Sequence, residues 1–198
     1  IRAQIEDAAR KAGRDPSNIA LMGATKTVPA DIVAEAVRLG LSDIGENWIQ
    51  EAEPKYAEVS RLLKGDDATN RWHMIGHLQR NKVKQALSVF DAIDTVDSLR
   101  LAAAIDRRAA ADGHETAILL EIDYTDDSER GGFRLGRDHD QQKLDGLLGE
   151  IEEIVALPHI RIEGLMTVAP QTDDPEGARP GFVRLRELQR TLAERFSH

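Results

Sequence analysis

The chain has 198 residues, a formal net charge of −9 and no cysteine, and 41% of its residues are hydrophobic. That length supplies one domain with a sizeable core, and the lack of cysteine excludes a disulfide framework, a thiolate zinc site and a cysteine nucleophile. A sequence pI near 5.2 argues against a nucleic-acid binder, which needs a basic face to release counterions, and no run approaches the roughly 18 apolar residues of a membrane span.

Short apolar runs alternate with amphipathic stretches from one end to the other. The first ten or so residues, with Ile5, Ala8, Ala9 and Ala12 before Gly13, predict a helix closed by glycine. Residues 19–26 predict strand one, with Lys26 at its end. Pro29 opens a helix whose apolar face is Ile32, Val33, Ala36 and Val37, and Gly40 ends it. A second strand is expected over 43–47, then a helix over 48–63. Residues 72–76 predict the third strand, leading into a helix from about residue 81.

The fourth strand covers 92–96. Its helix starts at a Ser98 cap, carries Leu101, Ala102, Ile105 and Ala109 inward, and stops at Gly113. Residues 116–123 predict the fifth strand, where Ala117-Ile118-Leu119-Leu120 is the unbroken run of a parallel strand covered on both sides. The polar stretch 123–139 is longer than the usual connection of about 2–6 residues. A helix over 141–157, a sixth strand over 160–167 and a final helix bearing Phe182, Leu185, Leu188, Leu192 and Phe196 complete the pattern.

This alternation predicts an α/β fold with a parallel sheet. Six βα units are counted, where a TIM-type (β/α)8 barrel has eight and typically about 250 residues. The expectation is a single barrel domain over 1–198, cut short at its C-terminal end and at its N-terminus. A complete six-stranded open sheet is the rival.

Lys26 is the most informative single residue. A strand that delivers an amine to the mouth of a barrel can make a Schiff base, because partial desolvation frees the lone pair to attack an aldehyde. On position alone, a lysine snorkelling from a strand end into solvent is the better reading. The motifs that follow reverse it. GATKTVPADI (23–32), GENWIQE (45–51), WHMIGHLQRNKVK (72–84), DTVDSLRLA (94–102) and GLMTVAP (164–170) each fall at the C-terminal end of a predicted strand, the face where barrel active sites are built.

On these five motifs, in order along nearly the whole chain, the sequence resembles the pyridoxal-phosphate homeostasis proteins, relatives of the N-terminal barrel of alanine racemase. The resemblance implies a fold-type III barrel in which Lys26 carries pyridoxal 5′-phosphate (PLP) as a Schiff base. It places Asn47 where an amide can hydrogen-bond a polar ring substituent; as a residue type, Asn47 serves equally as a helix N-cap. His73 and Ile75, on one face of strand three, are placed in the pocket wall. A lone histidine on an apolar strand is more often a satisfied core residue, and Ile75 reads as ring packing. Met166 matches the residue beneath the cofactor ring, where a thioether suits an aromatic face; ordinary barrel filling is its alternative.

The same resemblance implies a cytoplasmic monomer that binds PLP and other B6 vitamers, serves PLP-dependent apoenzymes and has little or no catalysis. The phosphate grip is expected beyond His198. Arg130 stands where the family's loop has a lysine, which keeps the charge and removes imine chemistry there. Arg80, Lys82 and Lys84 read as a solvated helix face, with an anion landing site as the alternative. An amino-acid racemase or decarboxylase of the same fold would need an acid/base pair about the cofactor, and the chain has only Tyr56 and Tyr124 as tyrosines. A lyase using Lys26 on a carbonyl substrate is the third reading. No helical H-x-x-x-H pair, glycine-rich phosphate loop or G-x-S-x-G elbow is present.

Overall fold

The computed structural model describes residues 1–125, 131–136, 140–170 and 172–196, and the chain divides into two compact units, Ile1–His73 and Met74–His198. In the first unit, helix α1 (Arg2–Lys11) is followed by strand β1 (Met22–Ala24), helix α2 (Ala30–Arg38), strand β2 (Asp43–Glu46), helix α3 (Ile49–Leu62) and strand β3 (Arg71–Met74), which reaches the boundary. The strand order is β1-β2-β3. β1 and β2 run parallel in the register Met22↔Asp43, Gly23↔Ile44, Ala24↔Gly45. One further bond, from the Thr25 amide to the Gly45 carbonyl at 2.9 Å, extends the ladder towards Lys26.

β1 is shorter than its apolar run predicts. A strand exists only where a neighbour offers backbone groups to pair with, and β2 begins at Asp43, opposite Met22. Helix α2 buries Val33, Ala34 and Val37, whereas Ile32 is 56% exposed. The buried stripe therefore lies to one side of the expected face, with Ala34 in place of Ile32. The core of this unit is built from Val33, Val37, Ile44, Ile49, Val59 and Trp72.

The second unit contains helix α4 (Val83–Ala86), strand β4 (Ala92–Val96), helix α5 (Leu99–Asp112), strand β5 (Thr116–Asp123), strand β6 (Phe133–Arg134), helix α6 (Gln141–Val155), strand β7 (Ile160–Met166) and helix α7 (Arg179–Phe196). β5 is its centre, pairing in parallel with β4 and β7 and, at Ile122 and Asp123, with β6. The polar stretch after β5 is thus partly strand, and the described residues form seven strands where six are predicted. A two-residue strand with one apolar side chain leaves no periodicity to read.

α5 forms as the sequence predicts. The Ser98 hydroxyl accepts the Leu101 amide at 3.3 Å, and Gly113 closes the helix at φ 72. Leu101, Ala102, Ile105 and Ala109 are buried, and α6 adds Leu147, Leu148, Ile151 and Ile154. Along α7 only Leu188 of the expected stripe is buried, and Phe182 is exposed. The register between β5 and β7 slips between Ile118 and Leu119, near Gly164, whose φ of +154 an L side chain rarely adopts. Among the described residues no helix is long and apolar enough to cross a membrane.

Candidate functional site

Lys26 lies in the turn beyond β1, and its side chain is exposed, so the partial desolvation expected of a strand-end amine is not found here. Its amine has no hydrogen-bond or ion-pair partner among the described residues. The backbone on both sides of it is anchored to α3. Lys55, 8% exposed, spends its three N–H donors on the Thr25 carbonyl at 2.7 Å, Glu46 Oε1 at 2.6 Å and Glu51 Oε1 at 3.0 Å. Glu46 is 0% exposed, and its Oε1 also accepts the Thr25 hydroxyl at 2.7 Å. Its Oε2 has no partner among the described residues.

Glu51 takes the amide of Thr27 as well. The hydrogen bond from Lys55, then that from Thr27, keeps the Glu51 carboxyl below its ordinary 4.5. Thr27 has φ +64, the one positive φ outside glycine among the described residues. A β-branched residue there is strained by about 1–3 kcal/mol and persists only where its surroundings over-determine it.

Asn47 sits in the bend between β2 and α3, half-buried, with no side-chain hydrogen bond among the described residues. The N-cap of α3 is Trp48, without a side-chain cap, so Asn47 does not act as the cap. Lys26 and Asn47 each stand two residues past the Ala24↔Gly45 pair. They therefore leave adjacent parallel strands at matching positions in the register.

His73 is buried, and its Nε2 lies 3.1 Å from Asp43 Oδ1. Asp43 is the first residue of β2, so this ring edge is committed to the strand's opposite end from Asn47. Ile75 follows β3 rather than lying on it, and is half-buried; Met166 is the last residue of β7, half-buried and paired with Glu121. Both belong to the second unit. Arg80 and Lys84 are exposed and Lys82 is half-buried. Arg130 lies outside the described residues. Among the described residues no group of three His, Asp or Glu suits a metal ion.

Glu46, Glu51 and Lys55 are the residues that sequence reasoning missed. One signal was available, since Glu51 and Lys55 are spaced i, i+4 on a predicted helix. Spacing shows a pair on a helix face; it does not show that the face is buried beneath the Lys26 turn.

A sequence model of the family described as alanine racemase, N-terminal domain, matches residues 1–197. The pyridoxal phosphate homeostasis protein of Aquifex aeolicus is 33% identical over 197 residues, covering 100% of this chain and 80% of that protein. A protein of Bifidobacterium adolescentis, known from a crystal structure, superposes with a TM-score of 0.86 at 30% identity over 98% of this chain and 77% of that one. PipY of Synechococcus elongatus, whose structure has PLP bound, superposes with a TM-score of 0.73 at 28% identity, covering 98% of this chain and 83% of PipY. Strand–helix alternation, parallel pairing and these likenesses agree on a barrel-type α/β fold. With the family pattern running through residues 1–197 and a relative matched along all of this chain, the protein belongs to the alanine racemase N-terminal domain family, among the pyridoxal phosphate homeostasis proteins.

Proposed function

We propose that this protein binds PLP covalently through Lys26, as a Schiff base, and holds it as a carrier and buffer in vitamin B6 homeostasis with little catalysis of its own. The observation that carries the reading is Lys26: an exposed amine with no partner among the described residues, on an anchored turn at the C-terminal end of β1. The residues fit the group. A free amine suits an aldehyde, and the unengaged amide of Asn47, just past the end of the neighbouring strand, suits a polar substituent on the ring. Bound there, PLP supplies the aldehyde carbon on which the amine acts. The relatives' name and the PLP in PipY support the same assignment. The proposed setting is the cytoplasm, where a monomer would pass the vitamer to apoenzymes.

The tyrosines favour this reading over a racemase. Tyr56 packs edge-on against Trp72, with ring centroids 5.4 Å apart. Tyr124 is pushed up to about 12 by burial, against the opposing effect of Arg184, whose guanidinium lies 4.3 Å over its ring. A phenol so hard to ionise is a poor base near neutral pH.

The test is reduction of the PLP-loaded, full-length protein with borohydride, followed by peptide mapping. Yellow protein with the label on the Lys26 peptide is the expected result, lost in Lys26→Ala. Label spread over other lysines, or protein that stays colourless, overturns the reading. Exchange of the Cα proton of alanine in deuterium oxide would instead establish the racemase.

A further inference from the structure

We propose that Glu46, Glu51 and Lys55 are positioning residues that set where the Lys26 amine stands, an inference that rests on Lys26 being the covalent lysine. Two residues of the turn, one on each side of Lys26, are addressed. Lys55 takes the Thr25 carbonyl at 2.7 Å, Glu46 takes the Thr25 hydroxyl at 2.7 Å, and Glu51 takes the Thr27 amide. The side chain of the residue between them, Lys26, has no partner among the described residues. The amine's position is therefore governed by where its Cα is held. A turn that wandered would lose the effective concentration gained from a fixed approach.

Stability alone is a weak account of this cluster. Burying the Glu46 carboxylate and the Lys55 ammonium costs desolvation that their attraction only roughly repays, and Glu46 keeps one oxygen buried without a partner among the described residues. The specific effect of the bonds is to hold Thr27 at φ +64, a conformation it would otherwise leave. In the condensation, the Lys26 nitrogen forms a C=N bond, and the aldehyde oxygen leaves as water with the two amine hydrogens. None of the three residues is consumed, so each acts through the backbone.

The experiment compares wild type, Glu51→Ala and Glu51→Gln as full-length proteins, following the rate of PLP condensation, the fraction of borohydride-fixed label on the Lys26 peptide, and thermal melting. Glutamine retains an acceptor for the Thr27 amide and alanine does not. The expected outcome is condensation about tenfold or more slower in Glu51→Ala, with label moving to other lysines, and a rate within about threefold of wild type in Glu51→Gln. Should Glu51→Ala fail to melt cooperatively, Glu51→Asp, which withdraws the carboxylate by one methylene, carries the same comparison. A folded Glu51→Ala or Glu51→Asp that condenses at the wild-type rate overturns the inference, as does equal slowing in alanine and glutamine. Wild-type protein that takes no label on Lys26 overturns the covalent assignment itself, and this inference with it.

Discussion

Two lysines of the first unit show how environment divides one side chain into two roles. Lys55 is buried with all three donors engaged, while Lys26 is exposed with none engaged among the described residues. Of the two, the proposed nucleophile is Lys26, because the donors of Lys55 are already committed to a carbonyl and two carboxylates. The ordered motifs that follow Lys26, and the family they resemble, singled it out in the sequence; its position at a strand end alone did not. Lys55, in a polar stretch of α3, reads as surface until the fold is known. A second residue-scale expectation concerns Tyr124. Its folded-state value is raised from 10.0 to about 12, so the neutral phenol contributes stability that is fully present below pH 10 and is lost as pH rises towards 12. In a Tyr56→Phe protein, absorbance titration should show the tyrosinate step near pH 12; a step near 10 contradicts the burial that causes the shift.

At the scale of elements, α5 was fully legible and β1 was not. The signals of α5 are local: a serine cap, inward residues at helical spacing and a glycine at φ 72. Ser98→Ala should therefore cost about 1 kcal/mol, measured by urea denaturation, without changing the fold. β1 depends instead on its partner, since Ile19, Ala20 and Leu21 are as apolar as a strand requires but precede the residues that β2 pairs. The same dependence on neighbours shifts the buried stripe of α2 from Ile32 to Ala34 and leaves Phe182 exposed on α7. Helical spacing marks which residues share a face; the packing partner decides how much of that face is covered.

For the whole molecule, ligand and stability are linked. Anything that binds only the folded state raises its stability, by about 2.7 kcal/mol at roughly a hundredfold excess over the dissociation constant. PLP should raise the melting temperature of the wild type and do so much less for Lys26→Ala at matched concentration; equal shifts would place the vitamer elsewhere. By itself the sequence determined the alternation of strands and helices and the ordered motifs at strand ends, because periodicity and turn residues are written within a few positions of one another. Only the tertiary structure decided that Lys26 and Asn47 leave adjacent strands at matching positions in the register, that His73 Nε2 is committed to Asp43, and that Glu46 and Lys55 lie buried beneath the turn. Register and desolvation join residues far apart in the chain, so no local window of sequence contains them.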